Sequence, residues 1–377
     1  KNALHSSTSA SFGFGCALVP RSLRSLPGLE RRLATSCRGV LARSDGRAVR
    51  CCVQAASVTR VVTISLDFEL AWGSFDVANR ADVLRCARWT HDEGVPLLLE
   101  VLARYGIPAT WATVGAVARD GLTLADRRME EVSYPWMREG WLAPVPFGVG
   151  EADAPEWFAP RLVDRIQESA VGHEVGFHGH THVLFGHPGT PQGRKEQELL
   201  ACREVAAERG IEGGSFVFPR NSIGALDAMS RLGFSTYRDV DWLDGSRRLA
   251  RRSSTYRSVV SALSDVAARA PRIVEPSMCG EMVAQPGSMM LRYPAGWRGR
   301  IPDSFRSRRL QAGLASLAAR GGQLHVWFHP VNLYYGHPRM LTVFESFLRS
   351  VRDGVEQDTW EVLTMGRVAD RVRAGEW

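Results

Sequence analysis

Lysine is almost missing from this chain. Only Lys1 and Lys195 occur, and 45 of the 47 basic residues are arginine. Schiff-base catalysis, carbamylated-lysine metal bridges and phosphate-cradling Walker lysines all need a placed lysine. Lys195 lies in Gly193-Arg194-Lys195-Glu196-Gln197, which reads as an exposed helix start, so those chemistries are disfavoured. Paired cysteines are missing as well. Four of the seven (Cys16, Cys37, Cys51, Cys52) fall in the first 57 residues, and Cys86, Cys202 and Cys279 are scattered without CxxC spacing. Neither a disulfide framework nor a cysteine zinc site is expected. No apolar run reaches the ~20 residues a membrane helix requires, so no membrane span is expected.

Net charge is also lacking where it would matter. The total is +7, but residues 1–57 hold Lys1 and eight arginines against only Glu30 and Asp45, which accounts for the whole excess. The remainder has 38 basic and 38 acidic residues. A nucleic-acid surface on the fold is therefore not expected. The composition of residues 1–57, rich in Ser, Arg and Ala, predicts a basic disordered tail of transit-peptide-like character or a non-native extension. Phe12 to Val19 forms only a weak secretory-type apolar stretch, broken by Gly13 and Gly15.

Residues 58–377 carry the fold pattern. Val58, Val61, Val62, Ile64 and Leu66 form a β-branched run that reads as a buried strand. Apolar residues from Val95 to Tyr105 recur at helical spacing, and Gly106 supplies the C-cap. Further strands are expected at 109–114, 174–177, 215–218, 235–237, 324–328 and 360–363. Helices are expected at 162–169, 196–209, 226–232, 341–351 and from Val368. Alternating strands and helices predict an α/β fold with a parallel sheet, and six or more such units favour a barrel. Gly121 to Pro160 and Leu243 to Arg300 break the alternation. Insertions of this length are expected over the catalytic face.

Three strand ends carry the chemistry. His173-Glu174-Val175-Gly176-Phe177-His178-Gly179-His180-Thr181-His182 places four of the chain's ten histidines in ten residues. One helical turn would put His178 and His182 on one face, able to grip a metal ion, with His180 pointing elsewhere. In Ser65-Leu66-Asp67-Phe68-Glu69-Leu70-Ala71-Trp72-Gly73, two acids sit inside an apolar run, which is costly unless they are paired or metal-bound. Strand alternation puts Asp67 and Glu69 on one side, so one can bind metal while the other handles protons. His329 closes the strand Leu324-His325-Val326-Trp327-Phe328 before Pro330, whereas His325 falls mid-strand and reads as structural.

Together these segments resemble polysaccharide deacetylases of the NodB-homology type (carbohydrate esterase family 4) over Val58 to Val372. Ser65-Leu66-Asp67-Phe68-Glu69 stands for the first motif and Ile107-Pro108-Ala109-Thr110-Trp111 for the following strand. Gly172 to His182 stands for the histidine motif, the most specific element. Phe218-Pro219-Arg220-Asn221, Asp239-Val240-Asp241-Trp242 and Trp327-Phe328-His329 approximate the later motifs. The family usually has two adjacent aspartates. Phe68 after Asp67 is a departure, matched best by a variant with an Asp-x-Glu first motif. The resemblance implies a distorted (β/α)7-type barrel and metal-dependent removal of acetyl groups from an acetylated glycan. It implies a divalent metal, zinc by preference, on Glu69, His178 and His182, with Asp67 as base and His329 as acid. Arg220, helped by Asp239 or Asp241, would orient Asp67. Trp72, Trp242 and Asn221 would meet substrate, with Trp136, Trp141 and Trp157 as further stacking candidates. Two rivals are a hydrolase of a cyclic amide or imide on the same barrel and a carbohydrate-binding barrel without catalysis.

Overall fold

The first long strand shows why the sheet is buried on both faces. Within Arg60–Phe68 every residue after Arg60 is buried, and the run is dominated by β-branched and large apolar side chains. Such a run cannot alternate between core and water, so it needs cover on both sides. The computed structural model describes residues 40–44, 47–51 and 59–377, less 77, 124–125, 127–130, 138, 241–268 and 295–298. The chain divides into two units, Lys1–Ser57 and Val58–Trp377. In the first, β1 (Val40–Ser44) pairs antiparallel with β2 (Arg47–Cys51).

The second unit contains β3 (Arg60–Phe68), β4 (Thr110–Thr113), β5 (Glu174–Phe177), β6 (Ser215–Val217) and β7 (Thr236–Asp239). It continues with β8 (Ser277–Cys279), β9 (Met282–Pro286), β10 (Met289–Met290), β11 (Gly322–Phe328) and β12 (Glu361–Val362). The sheet order is β10-β11-β3-β4-β5-β6-β7-β9-β8, parallel except for the antiparallel β8–β9 pair. It curls into a distorted half-barrel of the α/β class. β3 is long enough to pair with β11 along one edge, and with β12 and then β4 along the other.

The helices are α1 (Arg80–Trp89), α2 (Val95–Tyr105), α3 (Pro160–Gln167) and α4 (Gln192–Arg209). α5 (Leu226–Arg231), α6 (Asp303–Arg320), α7 (Arg339–Glu356) and α8 (Met365–Ala374) follow. α2 occupies the span its periodicity predicts, and Gly106 at φ 64° closes it as the left-handed cap. A π-turn over Thr90–Gly94 joins α1 to α2, because Pro96 has no N–H to complete the regular ladder. Inside the barrel, polar strand residues satisfy one another. Gln323 Nε2 donates to Thr63 Oγ1 at 2.9 Å and to Gln285 Oε1 at 3.0 Å.

The two irregular stretches behave differently. The described residues between Gly121 and Pro160 are mostly turns and loops, and Trp141, Trp157 and Phe158 among them are buried. Part of Leu243 to Arg300 is not an insertion at all, because β8, β9 and β10 come from it and extend the sheet.

Candidate active site

Asp67 and Glu69 leave the C-terminal end of β3 inside the buried layer, with Asp67 1% and Glu69 8% exposed. Charges so placed demand partners. Asp67 receives both Nη groups of Arg238 at 2.7 Å, a planar fork on a planar carboxylate. Arg238 also donates to Ser65 Oγ at 3.2 Å and lies 3.9 Å over the Trp327 ring. Ser65 Oγ in turn contacts His325 Nε2 at 2.9 Å. Burial alone would raise the Asp67 carboxyl. The charge and hydrogen bonds of Arg238, with smaller contributions from His329 and His178, bring it below its ordinary value.

Glu69 is gripped from the opposite side. Its Oε2 lies 3.2 Å from His178 Nε2 and 3.1 Å from His182 Nε2. Burial would raise this carboxyl too, but His329, His178 and His182 hold it well below the usual carboxylate range. His329 Nε2 faces both acids, 3.6 Å from Asp67 Oδ2 and 3.7 Å from Glu69 Oε1. Gly73 leaves room for this arrangement: a Cβ there would fall 2.0 Å from Glu69 Oε1.

The histidine segment reaches its geometry by a route other than a helical turn. Residues 178–182 form a bent loop after β5, with Gly179 at φ 74° and His182 at φ 63°. Glu198 of α4 anchors it, accepting from the backbone N–H of His180 at 2.8 Å and of Thr181 at 2.7 Å. Glu198 is itself paired with the buried Arg194 at 3.0 Å. His178 Nδ1 donates to the Val217 carbonyl at 2.8 Å, since a carbonyl can only accept. With Nδ1 committed to that carbonyl, Nε2 is the ring nitrogen turned toward Glu69. His182 is pulled below its ordinary pKa, chiefly by burial, with the charges of His178 and Arg220 adding to it. His180 is not among the clustered ligand atoms; it is fully buried, and burial pushes its imidazole down to about 4.

Ligand atoms of Glu69, His178 and His182 lie within 4.8 Å of one another. Two imidazole nitrogens and a carboxylate oxygen converge on one point, where a cation can be shared among them. Two imidazoles and a carboxylate are also the donor set of many hydrolytic zinc centres. The residues therefore fit a divalent metal.

Other expected residues fall elsewhere. Arg220 does not reach Asp67. The turn Pro219–Asn221 carries it to the rim, where its Nη2 donates to Asp76, and Arg238 takes the place beside Asp67. Arg238 stands one residue past the predicted strand 235–237, and a charged residue at a strand end was the available signal. Trp72 is 0% exposed, donating its Nε1 to the Trp157 carbonyl at 3.0 Å, so it is core beneath the insertion and cannot face substrate. Trp141 and Trp157 are buried too, whereas Trp136 is 42% exposed. Asn221 is half-buried, and Arg220 and Asn221 adopt φ of 51° and 54°. That backbone is unusual for arginine, and strained residues of this kind concentrate at functional sites. Asp239 is buried, with Oδ1 accepting from the Val240 N–H. Asp241 and Trp242 lie outside the described residues. His325 is fully buried mid-strand, as its position predicts.

No protein-family model matches the sequence, and no curated protein matches it either. Solved structures do. A protein from Mycobacterium smegmatis described as a polysaccharide deacetylase superposes with a TM-score of 0.54 at 17% identity, covering 85% of this chain and 93% of its own. One from Pseudomonas aeruginosa PAO1, also described as a polysaccharide deacetylase, gives 0.53 at 12% identity, covering 84% and 92%. The Puue allantoinase gives 0.53 at 12% identity, covering 84% and 91%. The chain therefore shares its curled, mostly parallel α/β half-barrel fold with these three structures.

Proposed function

We propose that this protein is a metal-dependent hydrolase that removes acetyl groups, N-acetyl by preference, from a glycan. The observation that carries the reading is the convergence of Glu69, His178 and His182 within 4.8 Å. Beside it stand an ionised Asp67 clamped by Arg238 and a histidine facing both acids. Glu69, His178 and His182 hold the ion in this reading. A divalent ion bound there acidifies a water and polarises the acyl oxygen.

Asp67 accepts the proton of the attacking water. Arg238 keeps that carboxylate ionised and fixes its plane, so the accepting oxygen does not wander. His329 delivers a proton to the departing nitrogen as the acyl C–N bond breaks, giving acetate and a free amine. Its place 3.6 Å from Asp67 lets the two groups share one proton inventory across the cycle. The buried surroundings exclude bulk water and strengthen each of these charge interactions.

A second reading is favoured by one observation: the likeness to an allantoinase is as close in fold as that to the P. aeruginosa protein. In it, the same residues open a C–N bond of a cyclic amide. Acetate release from acetylated glycan oligomers, run beside ring opening of allantoin and of a cyclic imide, with and without chelator, separates the two. Chelator-sensitive acetate release supports the first reading. Ring opening without acetate release supports the second.

A further inference from the structure

Among the described residues of the rim above the strand ends, Trp136 is an aromatic side chain that is both exposed and fixed. Trp136 is 42% exposed. One face of its indole is stacked on Tyr134, with ring centroids 4.9 Å apart and planes 7° from parallel. Its Nε1 donates to Asp76 Oδ2 at 2.9 Å. Tyr134 is itself anchored: its hydroxyl lies 2.8 Å from Thr190 Oγ1 and accepts from the Leu184 N–H at 2.8 Å. The ring therefore cannot swing freely, unlike an ordinary surface tryptophan.

Its anchor ties three loops together. Asp76 follows β3, Trp136 follows β4 and Arg220 follows β6, so all three stand at the C-terminal ends of parallel strands. This is the end that carries Asp67, Glu69, His178, His182 and His329. The Asp76 side chain has no exposure, and its two oxygens are divided between Arg220 and Trp136. The Arg220 side chain keeps 30% exposure, and its charge is felt at His182. The ion pair leaves the rim without net charge there, while the guanidinium retains donors beyond the one on Asp76.

We propose that Trp136 is a specificity-determining residue, a stacking platform for an uncharged pyranose ring of the substrate, and that Asp76 is the positioning residue that fixes it. A flat, immobilised indole offers area to the C–H face of a pyranose at little entropic cost. The remaining Arg220 donors match ring hydroxyls, and the neutralised rim gives no preference to a polyanion. The inference rests on the glycan reading of the site.

The test measures acetate release from N-acetylchitotetraose by the full chain and its variants. Trp136→Ala is expected to raise KM roughly three- to tenfold with kcat within about twofold of wild type. Trp136→Phe, which keeps a ring but loses the Nε1 donor, falls between the two. Asp76→Asn raises KM in the same direction. The thermal midpoint of Trp136→Ala falls modestly, since the indole gives up its stacking on Tyr134 and its bond to Asp76. Should Asp76→Asn fail to fold, the two Trp136 variants decide alone. A wild-type protein that turns over the tetramer with a KM unmoved in Trp136→Ala overturns the platform while leaving the function standing. A wild-type protein that releases no acetate overturns the glycan reading and the platform together.

Discussion

The strand ends and the rim loops above them solve opposite problems. Asp67, Glu69, His178 and His182 are nearly sealed from solvent, and each is held by groups arriving from distant strands or loops. Trp136 and Arg220 stay open to solvent, fixed by a single buried carboxylate. Burial strengthens electrostatic interactions and excludes water, which suits bond-breaking. Exposure with restraint suits recognition, because the surface is ready before substrate arrives. Mutations below the rim should therefore move turnover and stability, and mutations at the rim should move KM.

The largest expected break comes at Asp67. Asp67→Asn keeps shape and burial but removes the proton acceptor, so acetate release should fall by about 10²–10⁴ with metal content unchanged. Single-turnover acetate measurement beside elemental analysis checks both parts. Removing its partner should be felt as stability. Arg238→Met leaves the Asp67 carboxylate buried without its guanidinium partner, costing roughly 3–5 kcal/mol. Chemical denaturation reads the loss, and Arg238→Lys should recover only part of it, since an ammonium cannot reproduce the two-pronged contact.

Gly73→Ala probes the packing around Glu69. The added Cβ must displace a carboxylate held by two histidines, so metal affinity should drop on the order of tenfold or more. Competition with a chromophoric chelator measures it. A smaller effect comes from buried neutral histidines. Burial pushes His180 to about 4 and His325 to about 3, against an ordinary 6.5. The unfolded chain binds protons that these groups refuse in the fold. Stability is therefore complete above about pH 6.5 and declines as pH falls from there toward 4. Asp67 and Glu69, both lowered, add their loss below that window. Thermal midpoints between pH 7 and 4 should trace this decline, and His180→Leu should flatten it.

What could be read from sequence followed from how local each signal was. The strand at Glu174–Phe177 and the helix at Val95–Tyr105 lie where hydrophobic spacing puts them, because a short window contains the whole pattern. Asp303–Arg320 escaped because its apolar face is diluted by arginines, two of which, Arg306 and Arg309, are buried by their stems and partners. β8 to β10 escaped because they follow one another without intervening helices, so the strand–helix alternation that marks the other strands is absent there. In the site, residue types were legible and partnerships were not. Asp67 stands out as an acid in an apolar run, but its partner Arg238 lies 171 residues away and only the sheet brings them together. His178 and His182 were visible as a pair, yet a bent loop anchored by Glu198 aligns them in place of a helical turn. Trp72 looked available until the insertion, through Trp157, was seen to cover it.

The metal content of purified wild-type protein and of His178→Ala, measured by elemental mass spectrometry after identical preparation, tests the centre most directly. About one equivalent of divalent metal in wild type and essentially none in the variant is the expected result. Full occupancy in His178→Ala, or a metal-free wild type with undiminished acetate release, would contradict it.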